Sequence, residues 1–412
     1  MKKPGLNMKF IAGFSIIVMT AILAGCSHEK IVEKETKNVE SAQIQTLPPI
    51  IADIPLNADI ELQTSLQGIW KQYFIEDFND SRSIDVMVFT NRQLKNKGFG
   101  CTDDHFGNTQ DAKFRLGVCR INVPRNHSTG ELKFSKVQRD SSHDFFKVLG
   151  QKELSLNTLV EYLKKSKRTP LLFVHGFNVK HEEAVLRAAQ ITYDLKYQGP
   201  VILFSWPAGS GDSFFDDQMI KKTYDENFKN AQNSIITFKL FVSKLIENNI
   251  APNIIVHSMG HQVVLPALFE LGKNMQATET PPQPMKPMQM PVGELILNAP
   301  DFDADVFIKN IDVIKNLSNR VTLYCSYNDK TMIVSKTVNS TSRLGACSYM
   351  EGVDTINVSL LDNPTFGLGH GYYSSRPILT DVFQVLLGIE ASRRLFIRKS
   401  EPNSTEKYYL RQ

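Results

Sequence analysis

The chain has 412 residues, of which 42% are hydrophobic and 22% charged, so it is long and apolar enough to form a large globular core. Lysine and arginine number 47 against 43 acidic residues. Removal of the three lysines of the N-terminal segment described next leaves 44 basic against 43 acidic residues, with no basic block. This balance argues against nucleic acid as a partner.

The N-terminus has the pattern of a bacterial lipoprotein signal. Lysines at positions 2, 3 and 9 precede the apolar run Phe10–Ala24, and small residues stand directly before Cys26. The run is shorter than the ~20 residues of a membrane span, so we expect a signal peptide (1–25) rather than an uncleaved anchor. Cys26 would then carry acyl chains such as palmitate. Ser27 favours an outer-membrane location in the cell envelope, facing the periplasm or the surface.

Four further cysteines suggest two disulfides, as expected of an exported chain. We favour the pairs Cys101–Cys119 and Cys325–Cys347, because each closes a short loop. Four buried thiols are the alternative. The cysteines lack the spacing of zinc ligands, and we expect neither a metal nor a cofactor.

The first part of the chain predicts a tether followed by antiparallel strands. Residues 26–58 are polar and then proline-containing, which is typical of a linker. A globular domain is expected over 59–398, starting with a short amphipathic helix from Ile60 to Phe74. The strands predicted next have no helices between them, which favours antiparallel pairing; they are Ile84–Thr90, Leu116–Val123 and Phe145–Leu149.

From Ser155 onward, helical segments alternate with short apolar strands. Helices are expected over about 156–165, 182–195, 225–248, 261–274, 306–317 and 378–394. The strands are Leu171–Val174, Val201–Phe204, Ile254–Val256, Glu294–Leu297, Val321–Tyr324 and Thr355–Ser359. This alternation predicts an α/β fold, a mostly parallel sheet with helices on both faces. Residues 399–412 read as a polar C-terminal tail.

Ser258 is the most informative residue of this second part. It follows the strand Ile254–Val256 after one residue, and Gly260 and an apolar helical stretch come after it. A strand, a sharp turn and a helix would expose the serine hydroxyl at the end of the sheet, as a nucleophile requires. The usual glycine two residues before such a serine is replaced by Val256, which predicts a slightly wider turn or a shifted helix.

The catalytic acid and base should come later in the chain than Ser258, because hydrolases of this architecture have them in the order serine, acid, histidine. Of nine histidines only His261 and His370 follow, and His261 lies too close to the serine. His370, in a glycine-flanked loop, is therefore the predicted base. Asp329 is the predicted acid, and Asp301 is the alternative; each follows a predicted strand.

Backbone N–H groups of Met259 and Phe177 are the predicted oxyanion donors. Met259 directly follows the serine, and Phe177 lies in the loop after the strand Leu171–Val174. His175 in the same loop precedes the serine in the chain, so we expect it to brace the loop by a hydrogen bond. His257 is interpreted as a neighbour of the serine.

Four segments in this order resemble a largely uncharacterised bacterial family of the esterase/lipase superfamily, with a weaker fifth segment at Ile121–His127. They are Leu172–Asn178, Phe204–Pro207, His257–Gly260 and Ala299–Asp305. The resemblance implies an alpha/beta-hydrolase fold.

Three functions are compatible with these features. The leading one is a membrane-anchored serine hydrolase, an esterase or lipase, that cleaves a carboxylic ester or lipid through an acyl-enzyme. An inactive hydrolase fold serving as an envelope binding or scaffold lipoprotein, and an acyltransferase, are the alternatives.

Overall fold

The computed structural model describes residues 82–135, 137, 141–209, 217–277, 290–329, 332, 335, 341–348, 350–361, 371, 375–402, 404 and 406–411, without the side chains of 217–220. The predicted signal peptide, Cys26, the tether, the helix from Ile60 and His370 lie outside the described residues. Among the helices described, none has both the length and the apolar character needed to cross a bilayer.

Within the part of the chain that the structure describes, eleven strands form one sheet in the order β10-β11-β9-β8-β7-β6-β4-β5-β1-β2-β3. Their bounds are β1 Ser83–Leu94, β2 Phe106–Asn122, β3 Lys147–Glu153, β4 Leu171–Val174, β5 Val201–Ser205, β6 Asn253–His257, β7 Val292–Asn298, β8 Ser318–Cys325, β9 Asp354–Asn357, β10 Ile397–Lys399 and β11 Tyr408–Leu410.

The centre of the sheet is parallel and its two ends are antiparallel. Strand β1 pairs in parallel with β5, and the parallel pairing continues through β4, β6, β7, β8 and β9 to β11. Strands β1, β2 and β3 pair antiparallel, as do β10 and β11. The predicted fold class, with its antiparallel N-terminal portion, is confirmed.

Helices cover both faces of the sheet. They are α1 Leu156–Ser166, α2 His181–Asp194, α3 Asp217–Glu247, α4 His261–Ala277, α5 Ala304–Lys309, α6 Ile311–Lys315 and α7 Arg376–Leu386. Helices α1, α3, α4, α5 and α6 pack on one face, and α2 and α7 pack on the other. Neighbouring residues of a strand point to opposite faces, so a strand covered on both sides is apolar at every position. Strand β4 is such a strand, since all four of its residues are buried.

Some predicted boundaries differ from the structure. The single helix expected over 306–317 is two short helices, α5 and α6, which meet at Asn310. The last helix ends at Leu386 rather than near 394. Strands β10 and β11 were not predicted; β11 lies in the segment read as a polar tail, yet Leu410 is fully buried there and β11 pairs with β9. Three-residue strands carry too little periodicity to be recognised from sequence.

Both predicted disulfides are confirmed. Cys101 and Cys119 are bonded, with their Cα atoms 5.9 Å apart, and fasten the segment before β2 to that strand. Cys325 and Cys347 are bonded, with their Cα atoms 5.0 Å apart. The second bridge ties the carboxyl end of β8 to the segment that covers Asp301.

Candidate active site

Ser258 occupies a sharp turn between β6 and α4. Its φ angle is +50°, a left-handed conformation that a residue with a side chain adopts only at a cost. The three residues Ser258–Gly260 form one turn of 3₁₀ helix, and α4 begins at His261. The carbonyl of Ser258 accepts a hydrogen bond from His261 Nδ1 at 2.7 Å, which helps to hold the turn. The predicted strand–turn–helix is therefore present.

Two glycines allow the β4–α2 loop (residues 175–180) to lie against this turn. A Cβ atom on Gly260 would stand 2.5 Å from the carbonyl oxygen of His175. A Cβ atom on Gly176 would stand 2.8 Å from the Cβ of Ser258. Side chains at either position would collide, so both must be glycine for the loop to approach the serine this closely. The loop carrying Phe177 is thus adjacent to Ser258, as expected from the sequence.

Val256 precedes this turn as a buried strand residue. The side chain is fully buried, and Val256 lies beside Val174 of β4 and Leu297 of β7 in the sheet register. The turn approaches β4 and the β4–α2 loop most closely at Gly260, two residues after the serine, rather than at Val256. The left-handed conformation of Ser258 is retained, so the departure from the usual glycine does not remove the turn.

The two candidate oxyanion donors lie in the turn itself and in the loop that packs against it. Met259 is the second residue of the turn and its side chain is fully buried. Phe177 lies in the β4–α2 loop directly after Gly176. Asn178 follows with φ +57°, and its N–H donates to Asn227 Oδ1 of α3 at 3.2 Å.

Asn227 also binds the next loop along the edge. Its Oδ1 accepts from Gly209 N at 3.1 Å, in the described part of the loop after β5, the β5 loop (residues 206–209). One buried amide oxygen thus joins the β4–α2 loop to the β5 loop.

His175 stabilises the β4–α2 loop. Its imidazole stacks on the indole of Trp206, with ring centroids 5.2 Å apart and planes 7° apart. Trp206 Nε1 donates to the His175 carbonyl at 2.8 Å, and His175 Nδ1 bonds Gly176 O at 3.0 Å. Burial and the nearby positive charge of Arg92 hold the pKa of His175 well below its usual value. A neutral, enclosed ring agrees with the bracing role expected of it.

Asp301 lies next to the turn in a dense polar network. Its N–H points to the carbonyl of Ser258 at 3.4 Å. Tyr224 Oη donates to Asp301 Oδ2 at 2.9 Å, and Ser335 Oγ donates to Oδ1 at 2.5 Å. The guanidinium Nε of Arg343 lies 3.1 Å from the same Oδ1. Both carboxylate oxygens are therefore engaged, which gives Asp301 a structural task.

Asp329 follows the end of β8 on the same edge of the sheet. It is 1% exposed, and its Oδ1 accepts from Met332 N at 3.2 Å. The predicted base, His370, lies outside the described residues, so its role and that of the acid stay predictions. Within the described residues, no cluster of three or more His, Cys, Asp or Glu side chains could hold a metal ion.

Three residues of this region were not found by sequence reasoning: Arg92 on β1, and Tyr224 and Asn227 on α3. Arg92 follows the apolar part of β1, where a charged residue normally marks the exposed end of a strand. The one feature that could have indicated Arg92 is its place near the carboxyl end of β1. Because β1 is parallel to β5, that end lies at the same edge of the sheet as Ser258.

A mostly parallel sheet with helices on both faces, and a serine in a strained turn between strand and helix at its carboxyl edge, define an α/β hydrolase. The model of one family of this class, described as alpha/beta hydrolase of unknown function (DUF900), matches residues 152–389, more than half of the chain. The chain belongs to this family. No curated protein and no solved structure matches this chain.

Proposed function

We propose that the protein is a serine hydrolase that cleaves carboxylic esters with Ser258 as the nucleophile. The observation that carries the proposal is the left-handed conformation of Ser258, φ +50°, in a turn packed against the β4–α2 loop. Family membership supports hydrolase activity in general. The serine mechanism and the ester substrate are the proposed refinements.

In this mechanism Ser258 Oγ attacks the ester carbonyl carbon while His370 takes the hydroxyl proton. The N–H groups of Met259 and Phe177 bind the resulting oxyanion. His370 then gives the proton to the leaving alcohol, an acyl-enzyme remains, and water hydrolyses it. Asp329 orients the imidazole. The preference for Asp329 over Asp301 is supported by the three side chains that already occupy the oxygens of Asp301.

The proposed location follows from the N-terminal sequence. Lipidation at Cys26 would anchor the enzyme in the cell envelope, at the outer membrane, and hold it near lipid or other envelope esters. Treatment with an inhibitor of lipoprotein signal peptidase should make the uncleaved precursor accumulate. Unchanged processing of the chain, or of a Cys26→Ala variant, would contradict this location.

Labelling with a fluorophosphonate tests the nucleophile directly. The full-length protein, purified in detergent, is expected to be labelled, and labelling should be lost in Ser258→Ala and in His370→Ala. Ser318→Ala is the matched control, because Ser318 is a buried serine at the opposite end of the parallel strands and its hydroxyl donates to a main-chain carbonyl, Ile314 O. A folded wild type that stays unlabelled would contradict the mechanism and favour a binding or scaffold role.

A further inference from the structure

Arg92 is a fully buried cation close to the candidate site. Its side chain has 0% exposure, and its guanidinium forms five hydrogen bonds of 2.7–3.3 Å. The acceptors are Ser205 Oγ, Gly107 O, Asn108 Oδ1, Ala208 O and Val179 O. A buried charge is tolerated only when its donors are satisfied in this way.

These acceptors belong to three separate segments that meet at the carboxyl edge of the sheet. Val179 lies in the β4–α2 loop, whose Gly176 touches Ser258. Ala208 lies in the β5 loop, and Ser205 is the last residue of β5. Gly107 and Asn108 are at the start of β2. One side chain therefore fixes the main chain of the loop that carries Phe177 relative to its neighbours.

A second layer of hydrogen bonds holds Ser205 toward the guanidinium. His181 Nε2 lies 3.1 Å from Gly100 O, which can only accept, so this nitrogen carries the proton. His181 Nδ1, 3.0 Å from Ser205 Oγ, then accepts the hydroxyl proton. The oxygen lone pairs are left for Arg92 Nε. Burial, with the charge of Arg92, lowers the pKa of His181 to about 3, so the ring is neutral.

The charge of Arg92 is not cancelled by its hydrogen-bond acceptors, since all five are neutral groups. Burial lowers the pKa of Arg92 to about 9, partly offset by Asp103, and the guanidinium stays positive at neutral pH. The two imidazoles beside it, His175 and His181, are neutral for the reasons given above. A positive charge in a poorly solvated region acts over several ångströms on any negative charge that forms nearby.

We propose that Arg92 is a positioning residue for the oxyanion site of Ser258. It holds the β4–α2 loop so that the Phe177 N–H faces the serine, and it adds positive potential where the oxyanion develops. This inference rests on the proposed serine mechanism, and its structural half, the fastening of the loop, can be measured without any substrate.

The variants are Arg92→Ala and Arg92→Lys in the full-length protein, with Arg394→Met as the matched control. Arg394 is also a buried arginine, but it lies at the other end of the sheet beside Asp381. Activity is measured with p-nitrophenyl butyrate as kcat and KM separately, and acylation as the rate of fluorophosphonate labelling. Ethylguanidinium is added to Arg92→Ala to refill the vacated space.

Arg92→Ala should lower kcat and the labelling rate about 100-fold, as removal of an oxyanion donor does, with KM changed less than threefold. Arg92→Lys keeps the charge with three donors in place of five and should lose about tenfold. Ethylguanidinium should restore kcat at least tenfold, a recovery that a general loss of stability would not show. Arg394→Met should retain kcat within threefold when folded.

The proposal is overturned if Arg92→Lys and Arg92→Ala keep kcat within threefold of the wild type. It is equally overturned if the loss is not rescued and Arg394→Met loses as much. Arg92→Lys carries the test if the alanine variant does not fold. Hydrogen exchange distinguishes failure of the Arg92 proposal from failure of the serine mechanism. Faster exchange of residues 175–180 in Arg92→Lys but not in Arg394→Met supports the fastening, even if the wild type is unlabelled; unchanged exchange contradicts it.

Discussion

Two buried arginines at opposite ends of the sheet are accommodated in opposite ways. Arg92 forms five hydrogen bonds to neutral acceptors. The side chain of Arg394 lies 3.3 Å from Asp381 Oδ2 and 3.8 Å from Asp354 Oδ2, and within the described residues its guanidinium nitrogens form no hydrogen bonds. The first is held by directed bonds to neutral groups, whereas the second is held by the charges of its acidic neighbours.

This difference indicates two kinds of task. Acidic partners neutralise Arg394, and Tyr324 Oη donates to the same Asp381 at 2.5 Å, so this region stabilises the C-terminal part of the sheet. Directed bonds to main-chain carbonyls fix loop geometry, and a buried positive charge favours anions nearby. Changes near Arg92 should therefore alter activity, and changes near Arg394 should alter stability and its dependence on pH.

The largest expected effect is at Gly260, beside the candidate nucleophile. Gly260→Ala places a methyl group 2.5 Å from the His175 carbonyl oxygen, a main-chain atom that cannot move without displacing the β4–α2 loop. We expect loss of fluorophosphonate labelling and destabilisation by about 3 kcal/mol. Urea unfolding and labelling are the measurements.

Gly150→Ala on β3 is the control for that substitution, since a Cβ there would meet no atom of the described residues within 4 Å. It should leave labelling and stability unchanged. A Gly260→Ala variant that is labelled at the wild-type rate would show that close approach of the loop is not needed.

The second effect concerns Asp381 and pH. Burial raises the pKa of Asp381 from 3.8 to about 6, opposed by Arg394. Between these values the folded protein binds more protons than the unfolded chain, so the free energy of unfolding falls as pH rises from about 4 to 6. The shift corresponds to about 3 kcal/mol at most. Asp381→Asn should flatten this fall, measured by urea unfolding at pH 4, 5, 6 and 7.

In the Asp381→Asn variant the free energy of unfolding should still fall up to about pH 7, by less than in the wild type, because burial raises the pKa of Glu294 to about 7. Asp312→Asn, at an exposed carboxylate with 83% side-chain exposure, should behave like the wild type. A wild-type slope in Asp381→Asn would mean that the carboxylate is not the titrating group, and the contrast between the two arginines would fail.

The smallest effect is expected at Asn227. Asn227→Ala removes the acceptor of Asn178 N and Gly209 N, which costs about 1 kcal/mol of stability. Because one of these N–H groups follows Phe177, kcat for p-nitrophenyl butyrate should also fall several-fold. Asn248→Ala, just beyond the other end of α3, should lose stability without losing kcat. Equal kcat in both variants would argue against a role of α3 in holding the loops.

The parts of the fold that could be predicted are those specified by residues close together in the sequence. Short apolar strands alternate with helices, and the pattern around Ser258 specifies strand, turn and helix within ten residues. The cysteine pairs followed because each closes a short loop, and both bonds are present. Strands β10 and β11 escaped prediction because three residues do not show a period.

The hydrogen bonds and the ion pair of the Asp301 carboxylate could not be predicted. Its partners Tyr224, Ser335 and Arg343 come from three separate segments, and nothing near Asp301 in the chain indicates them. From sequence Asp301 and Asp329 were both candidates for the acid. In the structure the Asp301 carboxylate accepts hydrogen bonds from Tyr224 and Ser335 and forms an ion pair with Arg343. The choice between Asp329 and Asp301 as the acid stays a prediction.

The sequence by itself determined the α/β class and the turn at Ser258 and favoured the two disulfides, because these depend on residues close together in the chain. Only the tertiary structure decided that Arg92 is buried at the site. Its bonds to Val179 and Ala208 span 87 and 116 residues. The parallel pairing of β1 with β5 creates them, and the burial of a charge depends on that long-range register rather than on its neighbours in the chain.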